Sequence, residues 1–98
     1  MVKSRYIRNK PLSLRMVTNG INIHYLDWGE GASSHLILIH GLGSQSHTWD
    51  RFAGDVSDLF RVIVPDLRGH GKSGHAQDGS KLESFAKDLK ALPRHLNL

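Results

Sequence analysis

The chain has 98 residues, 39% of them hydrophobic and 22% charged, and it contains no cysteine. This length allows one domain with one modest core, and the composition is typical of a globular protein. The lack of cysteine excludes a disulfide framework, a thiolate nucleophile and cysteine-ligated zinc. No apolar run approaches the roughly 20 residues that cross a bilayer, and the first residues lack the apolar segment of a secretory signal. We therefore expect a cytoplasmic protein with no membrane partner.

The net charge of +4 is unevenly distributed along the chain. Residues 1–15 hold five cations and no acid, whereas the other 83 residues hold eight cations and nine acids. Such a basic segment can contact nucleic acid or an anionic membrane, but more often it is a solvated leader into the first strand. We interpret residues 1–13 as a basic N-terminal arm on a single domain and expect no nucleic-acid partner.

Two short runs of β-type residues, 14–17 and 21–26, follow the arm. Thr18, Asn19 and Gly20 separate the two runs. Asn-Gly between β-type runs is a strong hairpin signal, because both residues tolerate a positive φ. The pattern predicts an antiparallel hairpin.

Two continuous aliphatic runs, 35–39 and 61–64, then bracket a helical pattern. A continuous run bounded by polar and glycine-rich segments is typical of a parallel strand that is buried on both faces. Strand, helix and strand in succession predict a right-handed βαβ unit. The intervening helix should turn five apolar residues towards the sheet: Trp49, Phe52, Ala53, Val56 and Phe60.

The C-terminal segment carries the clearest helical pattern of the chain. Ser80 and Glu83 have the spacing of a capping box, in which each side chain satisfies a backbone N–H at the start of a helix. Pro93 interrupts the pattern, and a proline inside a helix costs about 3 kcal/mol. We therefore expect a break or kink near Leu92. Apolar residues hold helical spacing at Leu82, Phe85, Ala86, Leu89, Leu92 and Leu96.

Two motifs close the two aliphatic runs. His40-Gly41-Leu42-Gly43 follows the first run, and Asp66-Leu67-Arg68-Gly69-His70-Gly71-Lys72-Ser73 follows the second and fits the pattern D-x-R-G-x-G-x-S. In this order and spacing the motifs resemble the N-terminal third of an α/β-hydrolase. The resemblance implies an α/β fold: an antiparallel hairpin, a βαβ unit and a C-terminal helix, forming a three-layer αβα fragment. Residues 1–98 would then be a single partial domain.

The resemblance implies that the first motif is the oxyanion loop of the family. Leu42 would provide a backbone N–H to the substrate oxygen, Gly41 would supply the turn, and His40 would brace the loop through its ring nitrogens. Gly43 occupies a position where epoxide hydrolases and dehalogenase-like relatives commonly have proline. This difference favours hydrolysis of an ester, lactone, amide or carbon–carbon bond of a small-molecule substrate.

The second motif is interpreted as a structural element rather than a catalytic one. Its residues would be Asp66, Arg68, Gly69, Gly71 and Ser73: the glycines permit a turn, Asp66 and Ser73 can hydrogen-bond local backbone, and Arg68 would pair with a carboxylate. Gly71-Lys72-Ser73 also imitates the end of a P-loop, and G-x-G-x-x-G occurs at 69–74. Because an aspartate stands where a P-loop requires glycine, nucleotide or phosphate binding is disfavoured.

The family's nucleophile lies on a G-x-S-x-G elbow, and no such pattern occurs in these 98 residues. The family's acid and general-base histidine are missing as well, so we expect no catalytic residue within the chain and no activity from it alone. A triad of a histidine with Asp66 and Ser73 has no support in the sequence. No paired zinc-ligand spacing is present, and we expect neither a metal nor a cofactor.

An alternative interpretation is a non-enzymatic interaction module. The run at 36–39 is apolar and would form an open strand edge, because the family's next strand lies beyond it. Such an edge favours association with another strand. Self-association or a complementing C-terminal chain would then be the partner.

Overall fold

A four-stranded mixed sheet organises the computed structural model, which describes residues 10–29, 33–76 and 81–98. Its strands are β1 (Leu12–Thr18), β2 (Ile21–Asp27), β3 (His35–Ile37) and β4 (Arg61–Pro65), in the spatial order β1-β2-β4-β3. β2 is antiparallel to both β1 and β4, whereas β3 and β4 are parallel. β1 begins before the end of the predicted basic arm, whose residues 1–9 lie outside the described part.

The hairpin between β1 and β2 has the predicted two-residue turn. Thr18 pairs with Ile21, so Asn19 and Gly20 alone form the connection. Their φ angles are +49° and +79°. Two successive positive φ angles match the right-handed twist of the paired strands, which is why Asn-Gly is favoured here. The hairpin prediction is confirmed.

Helices cover both faces of the sheet. α1 (Asp50–Val56), which follows a 3-10 turn at Ser46–Trp49, packs on one face, and α2 (Leu82–His95) packs on the other. The buried residues on the α2 face are Met16, Ile21, Ile23, Tyr25, Ile63 and Leu92, and those on the α1 face are Leu26, Trp28, Leu38, Ala53, Val62 and Val64. The three-layer αβα arrangement is therefore confirmed, and β4 supplies residues to both faces.

The α1 segment agrees with the predicted helical pattern except at Phe52. Ala53 is fully buried, and Trp49, Val56 and Phe60 pack against the same cluster. Phe52, in contrast, is 47% exposed, so the prediction that it faces the sheet is wrong. Its ring packs edge-to-face on Trp49, with the ring centroids 5.9 Å apart. Phe52 therefore contacts the indole of Trp49, whereas the sequence pattern predicted a contact with the sheet.

The C-terminal helix α2 continues through Pro93, so of the break or kink predicted near Leu92, the break is wrong. The helix begins after Lys81, and Ser80 of the predicted capping box lies outside the described residues. Beyond the proline, the Leu92 carbonyl accepts a hydrogen bond from the N–H of Leu96 at 3.1 Å. Leu92 is fully buried against the sheet. Packing at this residue holds the last turn in place, although Pro93 lacks an N–H to donate.

Candidate functional site

Two histidines join the first motif to the second. His40 accepts a hydrogen bond at Nε2 from the backbone N–H of Leu67, at 3.0 Å. His70 accepts one at Nε2 from the backbone N–H of Gly43, at 2.9 Å. The two rings lie beside each other, with centroids 5.1 Å apart. Each loop thus accepts a hydrogen bond, through its histidine, from a backbone N–H of the other loop.

The remaining ring nitrogens determine the protonation of both histidines. Nδ1 of His40 lies 2.7 Å from the carbonyl oxygen of Gly41, and Nδ1 of His70 lies 2.9 Å from that of Arg68. A carbonyl only accepts, so each Nδ1 must carry the proton while Nε2 accepts. His40 therefore has no ring nitrogen available for proton transfer. This geometry is that of a brace between loops.

Leu42 occupies the exposed tip of the first loop. The N–H groups of Gly43 and Ser44 donate to His70 and Gly41, respectively. The N–H of Leu42 has no acceptor within the described part of the chain. Gly43 has a φ of +82°, a conformation that glycine adopts without strain. The loop thus leaves one backbone donor available to a ligand.

An apolar cavity of about 420 Å³ lies beside this tip. Its lining comes from the end of the β3 run, from both motif loops and from the first half of α2: Ile39, Leu42, Leu67, Leu82, Phe85 and Leu89. Electrostatic interactions are stronger in apolar surroundings than in water.

Asp66, the first residue of the second motif, is a buried carboxylate with three donors. It accepts from the backbone N–H of Ser46 at 2.6 Å, from that of Lys72 at 3.0 Å and from Nδ1 of His24 at 2.7 Å. Burial by itself would raise the pKa of Asp66. The hydrogen bonds from Lys72, Ser46 and His24 outweigh that effect and hold the pKa below its ordinary value of 3.8. Asp66 is therefore ionised at neutral pH.

Gly71 and Ser73 complete the cluster around Asp66. The hydroxyl of Ser73 donates to the Asp66 carbonyl at 2.6 Å and accepts from the backbone N–H of His24 at 2.9 Å. Gly71 has a φ of +50°, and a Cβ at this position would overlap the Asp66 carboxylate. The motif residues therefore form one packed unit with β2.

Arg68 pairs with Asp88, which confirms that it has a carboxylate partner. Its Nε and one terminal nitrogen lie 2.7 and 3.0 Å from the two carboxylate oxygens, and both side chains are buried. Asp88 also accepts from the side-chain amide of Asn19 at 3.2 Å. Gly69, with a φ of +74°, donates its N–H to the carbonyl of Gly74 at 2.8 Å. Asp88 of α2 thus contacts both the second motif and the hairpin turn.

The second motif does not form a phosphate cradle. The N–H of Lys72 donates to Asp66, that of Ser73 to the carbonyl of His70, and that of Gly74 to the carbonyl of Asn22. A P-loop needs these donors directed at phosphate. Here the three N–H groups donate to oxygens of the protein itself, which argues against nucleotide binding at this segment.

Three residues of the assembled site were missed in the sequence. His24 interrupts the apolar pattern of β2, and Asp88 lies between Phe85 and Leu92 on the apolar side of α2. His24 and Asp88 could both have been identified from the sequence, because each is a polar residue at a position where the periodicity predicts a core residue. His70 occupies an unspecified position of the second motif, and no sequence pattern pointed to its contact with Gly43.

Neither a membrane-spanning helix nor a metal-binding cluster occurs in the described ranges. No helix there has the length and apolarity needed to cross a bilayer. Residues 10–29, 33–76 and 81–98 contain no group of three histidine or acidic side chains that could hold a metal ion.

The fold agrees with comparisons to known proteins. A model of the alpha/beta hydrolase fold family matches residues 34–98. The chain belongs to this family. Among solved structures, a haloalkane dehalogenase loop variant from Bradyrhizobium elkanii superimposes with a TM-score of 0.83 at 25% identity, over 89% of this chain and 29% of that one.

Two curated relatives of this α/β-hydrolase-family chain show the same partial coverage. The magnesium-chelatase 30 kDa subunit of Rhodobacter capsulatus is 40% identical over 74 residues, which are 74% of this chain and 26% of the relative. A non-heme chloroperoxidase of Streptomyces lividans is 34% identical over 82 residues, 83% of this chain and 30% of the relative. The chain thus spans less than a third of the length of either relative.

Proposed function

We propose that this chain is the N-terminal part of a cytoplasmic α/β-hydrolase that cleaves an ester, lactone, amide or carbon–carbon bond of a small molecule without a cofactor. In this proposal the backbone N–H of Leu42 is one of the two oxyanion donors. The supporting observation is that this N–H has no acceptor in the described part of the chain and lies beside an apolar cavity.

The proposed role follows from the chemistry of acyl transfer. Attack on a carbonyl builds negative charge on its oxygen, and fixed N–H dipoles stabilise that charge without reorganisation. Gly43 is held by His70, so the peptide before it cannot rotate freely. His40 uses both ring nitrogens in the loop contacts and is therefore a brace rather than a general base.

The second oxyanion donor and the nucleophile would come from a G-x-S-x-G elbow, which these 98 residues do not contain. We therefore propose that the chain alone does not turn over a substrate through the Leu42 loop. Hydrolysis of an activated ester by the purified chain that disappears in Gly41→Pro would contradict this proposal.

A chimera tests the oxyanion role directly. The chain replaces the matching N-terminal segment of the Streptomyces relative, and the chimera is assayed with an activated ester. Leu42→Pro removes the N–H, whereas Leu42→Ala keeps it and changes only a side chain that is 79% exposed. We expect kcat to fall by about 10²–10³ in the proline variant and to change little in the alanine variant. Equal activity of the two variants would refute the role of Leu42.

A second candidate function is recruitment of another chain through the open edge of β3, and the sheet order favours it. In the described sheet β3 pairs only with β4. The N–H of Leu38 donates to Ile63, and the carbonyl of Ser34 accepts from Arg61. Backbone groups alternate in direction along a strand, so those of Ile37 face the open edge.

The edge can be blocked without breaking the β3–β4 ladder. Ile37→Pro removes an N–H on the open side, and Ile37→Ala is the matched control that keeps it. We expect the wild type and the alanine variant to form a soluble complex with the C-terminal remainder of the Streptomyces relative, and the proline variant to form none. Equal recovery of all three complexes would argue against strand addition.

A further inference from the structure

A serine on β1, a histidine on β2 and the aspartate that follows β4 are joined by two successive hydrogen bonds. Oγ of Ser13 is 2.5 Å from Nε2 of His24, and Nδ1 of His24 is 2.7 Å from Oδ2 of Asp66. His24 and Asp66 are almost completely buried, whereas Ser13 is exposed. The two motifs described above do not include Ser13 or His24.

The position of the protons follows from Asp66. Hydrogen bonds from the backbone N–H groups of Lys72 and Ser46 hold its pKa below the ordinary value, so the carboxylate is ionised and can only accept. Nδ1 of His24 must then carry a proton. In the neutral ring Nε2 has a lone pair, and the hydroxyl of Ser13 donates to it.

We propose that Ser13 is an activated nucleophile that accepts an acyl group from activated esters, with His24 as its general base and Asp66 as the positioning residue. A nucleophile bonded to a base that is oriented by a third group is the arrangement that activates serine. This activity is separate from the proposed oxyanion role of Leu42, because Ser13 is on β1 and the Leu42 loop follows β3, at opposite edges of the described sheet.

The acylation step balances without another reactant. The Ser13 oxygen forms a bond to the carbonyl carbon, and its proton passes to Nε2 of His24. The ester C–O bond breaks, and the phenolate of an aryl ester leaves with the bonding electrons. The imidazolium beside ionised Asp66 then releases its proton to water, which regenerates the neutral ring.

Arg15 adds positive charge to the surroundings of Ser13. It pairs directly with His24 across the hairpin, so both side chains lie on the same face of the sheet as Ser13. Arg15 is exposed, and one terminal nitrogen of its guanidinium lies 3.5 Å from the carbonyl oxygen of Lys72. A cation on this face favours an acyl group whose carbonyl oxygen becomes negative during attack.

The proposal is tested by comparing the acetylation rates of two serines, Ser13 and Ser34, in the same chain. The full chain is treated with p-nitrophenyl acetate, and acetylated peptides are quantified by mass spectrometry over time. Ser34 is exposed and serves as the internal control. General base catalysis contributes about 10²–10⁴-fold, so we expect Ser13 to be acetylated at least about 100-fold faster than Ser34. In urea that unfolds the chain, the ratio should approach one.

Ser13→Ala should abolish the fast phase, and the loss cannot come from unfolding if the far-UV spectrum is unchanged. The oxyanion proposal is tested by kcat of the chimera, whereas this proposal is tested by acetylation of Ser13 in the chain itself, so failure of one is distinguishable from failure of the other. Acetylation of Ser13 and Ser34 at similar rates in the folded chain would overturn the proposal and leave a structural role for the three hydrogen-bonded groups.

Discussion

Two glycines of the motif loops occupy backbone conformations that other residues adopt only with strain. Gly71 illustrates this, because its φ of +50° and its contact with the Asp66 carboxylate are independent reasons for having no Cβ. Gly43 has the same kind of backbone but open space around it. Comparing substitutions at the two glycines therefore distinguishes the cost of backbone strain, present at both, from the cost of steric overlap, present only at Gly71.

Replacing each glycine by alanine should give different losses of stability. Gly43→Ala should lower the free energy of unfolding by about 1–2 kcal/mol, the cost of a left-handed conformation. Gly71→Ala adds the overlap with Asp66 and should cost about 2–4 kcal/mol. Urea unfolding followed by circular dichroism measures both. Equal losses of unfolding free energy in the two variants would show that the Asp66 carboxylate can shift away from the new Cβ at little cost.

Asp66 makes the stability of the fold depend on pH. Its folded pKa is below the ordinary value of 3.8 because hydrogen bonds to the carboxylate outweigh burial. A lowered folded pKa contributes stability that is fully present above the unfolded pKa and is lost as pH falls through the folded pKa. We therefore expect acid to destabilise the wild type in the region below pH 3.8.

Asp66→Asn should remove this dependence and cost about 2–4 kcal/mol at pH 7, because an amide cannot accept from all three donors. Asp55→Asn, at an exposed position, is the matched control and should change stability by less than about 0.5 kcal/mol. The comparison is made by urea unfolding at pH 7 and below pH 4. A constant difference between wild type and Asp66→Asn across this range would contradict the assignment.

Secondary-structure elements followed local pattern where one strong signal dominated. The Asn19-Gly20 turn formed as predicted because its backbone preference is intrinsic to the two residues. α2 did not break at Pro93, since the buried Leu92 beside it packs against the sheet. Phe52 was predicted to face the sheet, but its side chain is exposed and its ring packs against Trp49. Propensity predicts the existence of an element better than its end or its contacts.

The helix α2 should gain stability when its proline is removed. Pro93→Ala restores an N–H that can donate to the carbonyl of Leu89 and relieves the ring clash. Part of the gain is offset because alanine makes the unfolded chain more flexible, so we expect about 1–2 kcal/mol in the free energy of unfolding. Lys90→Ala, at an exposed position of the same helix, is the control and should have little effect. A loss of stability in Pro93→Ala would show that the ring packs favourably where it lies.

At the scale of the whole molecule, β1 and β3 form the two edges of the described sheet. Ile39, two residues beyond the end of the edge strand β3, lines the apolar cavity and is 40% exposed. An apolar edge without charge is a template for association. We expect the chain to form oligomers in a concentration-dependent manner.

A charge at the edge should reduce this association. Ile39→Lys places a cation two residues beyond the end of β3, where pairing of two β3 edges would bring the two cations close together. Leu59→Lys adds the same charge at a site that is 71% exposed and outside the strands, so it controls for net charge. Light scattering after size exclusion should show a smaller mean mass for Ile39→Lys only. The same reduction in both variants would indicate a general effect of charge.

The sequence by itself determined the family, the hairpin, the strand-helix-strand order and the two motif loops, because these depend on short-range pattern and on residues with special backbone freedom. Only the tertiary structure decided which side chains meet. Asp88 reaches Arg68 from 20 residues away, and His24 reaches Asp66 from 42 residues away. Such pairs depend on strand order and register, which no local pattern encodes. The same register brings Ser13 to His24, where the sequence showed only a serine near the start of a strand.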